Sequence, residues 1–194
     1  MGQKAFYFNM KSCIGCHACQ VACRDRNALY NVGEIFRKVD TYEGGKFPKP
    51  FWYSLSIACN HCGNPACVKN CPTGAMYKDA ETGLVLHDDE MCIGCGTCVA
   101  SCPYHEPILM EKNGKTVSAK CDGCYTLVQK GENPVCVDAC PMRAIEFGEM
   151  MDIMKAHPDA VQNIMPLPDA SQTAPAFFVD PTPEAVTEEI EQVF

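Results

Sequence analysis

Sixteen cysteines divide into four quartets: Cys13, Cys16, Cys19 and Cys23; Cys59, Cys62, Cys67 and Cys71; Cys92, Cys95, Cys98 and Cys102; and Cys121, Cys124, Cys136 and Cys140, with none left over. The first and third quartets share the spacing C-x2-C-x2-C-x3-C, and the last three quartets end in Cys-Pro. A cuboidal iron–sulfur core needs one thiolate per iron, and thiolates at i, i+3 and i+6 converge when the backbone curls around the cube. The fourth cysteine of such a run is placed to reach a neighbouring cube. Repeated along the chain, the pattern predicts four [4Fe–4S] clusters and a protein that moves electrons.

Details inside the loops agree. Gly15 and Gly94 separate the first two cysteines of their quartets, where close backbone approach leaves no room for a side chain. The same curl turns amide N–H groups toward sulfur, and such hydrogen bonds help to set a cluster's potential. The x3 step to the fourth cysteine predicts a short helix. Proline after Cys71, Cys102 and Cys140 ends that helix and redirects the chain into a strand, whereas Cys23 is followed by Arg24.

Other chemistries account for less of the pattern. Cys121, Cys124, Cys136 and Cys140 could alone form a four-cysteine zinc site, but zinc has no use for the additional cysteine between pairs in the first and third quartets. A secreted disulfide scaffold can be equally cysteine-rich, yet it has no reason to repeat one spacing. His17 and His61 lie inside cysteine loops and, with four cysteines per cluster, are expected behind the ligands or at the surface. His87, His105 and His157 show no metal-pair spacing. Met142, Met150, Met151 and Met154 match one apolar helical face, which predicts packing. The sequence carries no Ser/His/Asp arrangement, phosphate-cradling glycine loop or flavin signature, so no catalytic residue is expected.

The elements that must hold these loops are short. Thr73–Lys78, a turn over Asp79–Gly83 and Leu84–His87 read as a hairpin between the second and third quartets. Pro107–Glu111, an Asn113-Gly114 turn and Lys115–Ala119 read as another, leading directly into the fourth quartet. Residues 24–51 are long for a connection and predict an exposed loop or docking surface. A short helix is expected around Glu149–Ala156. The Pro-rich segment after it reads as an extended arm over the body or a partner, and Pro183–Phe194 as a short acidic helix.

With 194 residues, 9% aromatics, 14 Gly and 14 Pro, a large apolar core is not expected, and the clusters would staple a chain that unfolds without them. The formal charge of −8 counts every thiol as neutral. Sixteen thiolates against four cores of about +2 add roughly 8 further negative charges, which argues against nucleic acid as a partner. Met1–Phe6 leads straight into a strand with no export signal, and no run of about 18 apolar residues could span a membrane.

The quartet order, together with the strings Tyr53–Cys62, Cys92-Ile93-Gly94-Cys95 and Lys120-Cys121-Asp122-Gly123-Cys124, resembles the iron–sulfur subunits of dimethyl sulfoxide reductase-type molybdoenzymes over nearly the whole chain. Polysulfide, nitrate and formate systems share this plan. The resemblance implies an α+β fold of two nested bacterial-ferredoxin-like modules: residues 1–51 and 104–148 as an outer module, 52–103 as an inner one, and 149–194 as a helix and extended arm. It also implies how the fourth ligands cross. One cluster takes Cys13, Cys16, Cys19 and Cys140; the second takes Cys121, Cys124, Cys136 and Cys23. The third takes Cys92, Cys95, Cys98 and Cys71; the fourth takes Cys59, Cys62, Cys67 and Cys102. The partners implied are a large molybdopterin subunit carrying Mo or W and a quinone-reactive membrane anchor or soluble donor. The setting implied is cytoplasmic, or extracytoplasmic by co-export with a partner bearing a twin-arginine signal. A free soluble polyferredoxin and a zinc-stapled structural protein are the competing functions.

Overall fold

The run Lys4–Asn9 buries four successive residues, Ala5, Phe6, Tyr7 and Phe8. A strand covered on both faces must lie at the centre of its sheet, and the computed structural model, which describes residues 2–187 and 190–193, puts it there. In chain order the strands are β1 Lys4–Asn9, β2 Lys38–Gly44, β3 Phe51–Ile57, β4 Met76–Lys78, β5 Val85–His87, β6 Ile108–Lys112, β7 Lys115–Ala119, β8 Ile145–Glu149, β9 Phe177–Asp180 and β10 Ile190–Gln192. The α-helices are α1 Ala18–Arg26, α2 Ala66–Lys69, α3 Thr97–Ser101, α4 Tyr125–Val128, α5 Val135–Asp138, α6 Met150–Ala156 and α7 Glu184–Thr187. Mixed short elements of this kind make an α+β fold.

One sheet has the order β8-β1-β9, with β8 antiparallel and β9 parallel to β1. A second has the order β10-β2-β3, all antiparallel. Two hairpins, β4-β5 and β6-β7, occupy the positions read from the turn chemistry around Asp79–Gly83 and Asn113-Gly114. The helix expected around Glu149–Ala156 is α6.

Several expectations change. Residues 24–51 contain β2, which pairs along its whole length with β3, so part of that segment is sheet rather than loop. The Pro-rich arm supplies β9 to the main sheet; Phe177-Phe178-Val179 is an aromatic and β-branched run between Pro175 and Pro181, and all three are buried. The acidic helix expected over Pro183–Phe194 is one turn, α7, followed by β10; residues 188, 189 and 194 of it lie outside the described residues. Of the four methionines read as packing, Met142, Met151 and Met154 are exposed, and Met150 alone packs against a buried cluster. The apolar core is also larger than the composition suggests. Phe6, Phe8, Leu55, Ile57, Ile145, Phe177 and Val179 form one cluster between the two sheets, and Cys19, Cys136 and Cys140 belong to it. Among the described residues no helix is long and apolar enough to cross a membrane.

Candidate metal centres

Each cysteine loop turns through a left-handed residue between its first two cysteines. Gly15 (φ 65°) and Gly94 (φ 67°) take that place, and a Cβ there would stand 2.6 Å from Ser54 Oγ and 2.6 Å from the Thr116 carbonyl oxygen respectively. In the second loop the place belongs to His61, at φ 44°. That conformation strains a residue with a Cβ. The histidine is buried, and its Nδ1 accepts the Val85 N–H at 3.0 Å. Burial, with Lys120, Lys78 and Arg37 nearby, holds its pKa well below the usual histidine value, so it stays neutral.

The curls direct amides at sulfur. Gly94 N–H and Ser118 N–H each point at Cys92 Sγ at 3.4 Å, Gly123 N–H at Cys121 Sγ at 3.3 Å, Ala144 N–H at Cys140 Sγ at 3.3 Å, and Met76 N–H at Cys71 Sγ at 3.5 Å. Two serine hydroxyls also bond to sulfur: Ser56 Oγ lies 3.3 Å from Cys19 Sγ, and Ser118 Oγ accepts from the Cys98 thiol at 3.1 Å. Short helices deliver the later cysteines. Cys19 and Cys23 ride on α1, Cys67 on α2, Cys98 on α3 and Cys136 on α5, while Cys71, Cys102 and Cys140 follow just after their helices and precede proline. Helix α1, with Arg24 where the others have proline, continues to Arg26.

All sixteen cysteines are free. Two cavities are ringed by cysteines from different quartets. One is lined by Cys59, Cys62 and Cys67 from the second quartet and Cys102 from the third. The other is lined by Cys13, Cys16 and Cys19 from the first and Cys140 from the fourth. Cys23 lies within electrostatic reach of Cys136, Cys124 and Cys121. Cys71 packs against the clusters holding Cys98 and Cys92, and its charge reaches Cys95. Cys16 and Cys95 are exposed, beside the exposed Ile14 and Ile93.

Burial pushes the Cys62 thiol up to about 11 and the Cys23 and Cys67 thiols up to about 12. Metal-free protein therefore keeps these groups protonated, and iron binding must release their protons. Burial would raise Cys71 too, but the Met76 amide and the Thr73 hydroxyl outweigh it and leave the thiol below its usual value.

The donor set fits iron–sulfur cubes: soft sulfur ligands around voids, with amides aimed at the sulfurs. A zinc site would instead gather four sulfurs at about 2.3 Å from one centre. Among the described residues no three Cys, His, Asp or Glu side chains converge on a point that a single ion would fill.

Polar side chains buried beside the thiols were not legible as functional in the sequence. Arg37 and Lys120 are cations in the interior. Glu106 lines the cavity of Cys59, Cys62, Cys67 and Cys102, both of its carboxylate oxygens lack a partner among the described residues, and burial raises its pKa to about 7. Arg37 stands one residue before β2, and its side chain turns inward to Ser56 on β3. His17 lines the cavity of the first quartet, while His157 stacks on Tyr7 and His87 meets Asp89, both away from the thiols.

A family described as "4Fe-4S dicluster domain" matches residues 50–150, and one described as "4Fe-4S binding domain" matches residues 10–30. The B subunit of anaerobic dimethyl sulfoxide reductase from Haemophilus influenzae is 41% identical over 190 residues, which span 93% of the present sequence and 90% of that relative. Against the corresponding B subunit of Escherichia coli K12 the identity is 41% over 188 residues, with 92% and 89% covered. The thiosulfate reductase electron transfer subunit of Salmonella typhi is 41% identical over 145 residues, 72% of each protein. By its cysteine loops and by these likenesses, the protein belongs to the family of 4Fe–4S electron-transfer subunits that includes the B subunit of anaerobic dimethyl sulfoxide reductase, non-catalytic partners of a catalytic subunit in reductase complexes.

Proposed function

We propose that this subunit carries four [4Fe–4S] clusters, each built from three cysteines of one quartet and the fourth of another. The ligand sets are Cys13, Cys16, Cys19 and Cys140; Cys23, Cys121, Cys124 and Cys136; Cys59, Cys62, Cys67 and Cys102; and Cys71, Cys92, Cys95 and Cys98. The observation that carries this reading is the pair of cavities, each lined by three cysteines of one quartet and the last cysteine of another. Residues 1–51 and 104–148 then form one ferredoxin-like module around residues 52–103. Each cube would supply one-electron storage and transfer when bound; the residues of this protein hold it, direct amides at it and keep water from it.

Neighbouring thiols suggest the order of the relay. Cys19 feels Cys136, Cys59 shares a buried cluster with Cys121, and Cys67 shares one with Cys98. Electrons would run from the cube of Cys13 through those of Cys121 and Cys59 to that of Cys92, with the exposed Cys16 and Cys95 marking the two ends. One end would face a molybdopterin catalytic subunit holding Mo or W, the other a quinone-reactive membrane anchor or a soluble donor. Contact with a membrane would be made through that partner.

Iron and acid-labile sulfide analysis tests the count: about sixteen of each per polypeptide are expected. Two or fewer metals, with zinc among them, would refute the reading. Co-purification with a large molybdenum- or tungsten-containing subunit is expected, and isolation as a stable lone carrier would favour a free polyferredoxin.

A further inference from the structure

Arg37 is 2% exposed. Its Nη1 donates to Ser56 Oγ at 3.1 Å and to the Ser56 carbonyl at 3.4 Å, and its Cζ stands 5.1 Å from the centre of the Phe6 ring. Ser56 Oγ in turn lies 3.3 Å from Cys19 Sγ. No carboxylate forms an ion pair with Arg37 among the described residues. Glu106 feels its charge but is not in contact with it. Burial works against the guanidinium charge, and the charges of Cys136, Cys19, Cys121 and Cys23, once those thiols are deprotonated, more than offset it, so its pKa is raised above the usual arginine value.

A buried charge needs a counter-charge, and Arg37 finds sulfur where an arginine ordinarily finds carboxylate. The four cysteines whose charges reach it come from two different ligand sets. Cys19 belongs with Cys13, Cys16 and Cys140; Cys136, Cys121 and Cys23 belong with Cys124. Each oxidised cube with its four thiolates carries a net charge of about −2. When one electron enters, no bond breaks and no proton is required, but the charge becomes more negative by one. A fixed cation within reach favours that state. Arginine suits the task because it cannot lose its proton in the working range, so its contribution does not vary with pH.

We propose that Arg37 is a built-in counter-charge shared by the two outer-module cubes, raising the reduction potentials of both. The proposal rests on the ligand sets given under the proposed function. Arg37 touches a serine hydroxyl beside sulfur and an aromatic ring rather than iron, so it acts by tuning rather than by ligation.

The test is an EPR-monitored redox titration of the cluster-loaded full-length protein as wild type, R37Q and R37K, with C23S and C140S each identifying the signal of one outer cube. R37Q is expected to keep its iron and to shift the outer-pair reduction equilibrium at least about tenfold toward the oxidised form, which is about 59 mV lower for a one-electron couple. The inner pair should stay put, and R37K should recover most of the shift. Outer-pair potentials unchanged in iron-replete R37Q, or a shift confined to the inner pair, would overturn the proposal. If R37Q does not load, R37H at pH 9, with a neutral ring filling the space, is the second variant and should show the same shift relative to R37K. Failure of both to hold iron while R37K holds it would assign Arg37 to folding alone and overturn the proposal. A wild-type iron count well below about sixteen would sink the four-cube reading separately, and Arg37 is then judged on the signals that C23S and C140S abolish.

Discussion

Cys59 and Cys121 lie in the same buried cluster, with Ala58, Ala119 and Cys23, although they open different quartets. Burial raises the Cys121 thiol well above its usual value, and the charges of Cys23 and Cys59 raise it further. This contact is the bridge between the two proposed modules. If electrons cross there, removing the cube of Cys121 must cut the relay in its middle. In the assembled reductase, Cys124→Ser should slow turnover with the physiological donor at least about tenfold, an added barrier of about 1.4 kcal/mol. Dyes that reduce the catalytic partner directly should keep their rate. Equal loss with both donors would place the relay elsewhere.

Cys102 follows α3, whose Cys98 belongs to its own quartet, yet Cys102 lines the cavity of Cys59, Cys62 and Cys67. Cys102→Ser should therefore disturb the signal of that cube and leave the cube of Cys92, Cys95 and Cys98 intact. EPR of the reduced variant, with iron analysis, distinguishes the two. Loss of the Cys92 cube instead would show the crossing to be wrong.

Gly94 and Gly15 occupy equivalent turns but face different neighbours. A Cβ on Gly94 meets the Thr116 backbone carbonyl, which is fixed by the β6-β7 ladder, whereas one on Gly15 meets the end of the Ser54 side chain, which can rotate. Both substitutions strain a left-handed backbone at about 1–3 kcal/mol. Gly94→Ala should cost more than Gly15→Ala and should also weaken loading of the Cys92 cube, read from thermal melts and iron content of the two variants side by side.

Asp79 closes the β4-β5 turn: its Oδ2 accepts Thr82 N–H at 2.8 Å and Thr82 Oγ1–H at 2.6 Å, and its Oδ1 accepts Tyr125 O–H at 3.3 Å. The Thr82 hydroxyl bond foremost holds the carboxyl below its usual range. Because the folded value is depressed, the stabilisation is present above the unfolded pKa of about 3.9 and is lost as pH falls through the folded value. Asp79→Asn should lower stability by about 1 kcal/mol or less near neutrality, solvent screening included. The difference from wild type should shrink in acid. Denaturant melts at pH 7 and pH 3 read both, and a gap that widened in acid would contradict the sign.

The turn-rich half of this molecule could be read directly from the residues. Asn113-Gly114 and Asp79–Gly83 name their hairpins because positive φ and a short carboxylate leave few other conformations. The proline after the fourth cysteine likewise marks where the short helices stop. Strand β2 escaped because Lys38, Asp40, Thr41 and Glu43 make it look solvated, and its apolar residues Val39 and Tyr42 fall on no strict alternation. Strand β9 escaped because four residues between prolines read as arm rather than as the edge of a central sheet. Arg37 was hidden for a related reason. Its inward direction is fixed by a side-chain bond to Ser56, on the strand that pairs with the one Arg37 precedes, which no local pattern encodes.

Strand β1 is flanked by β8 and β9, the first from residues 145–149 and the second from 177–180. During synthesis the centre of the sheet leaves the ribosome first and waits for neighbours that lie far later in the sequence. The cavity lined by Cys13 and Cys140 is likewise incomplete until late. With the proposed ligand sets, iron delivered to a nascent polypeptide would meet the inner sets entire once Cys102 is made, but the outer sets still as fragments. Loading of the outer centres must therefore wait for Cys140, and a product truncated before it is denied them by the order in which its parts are made.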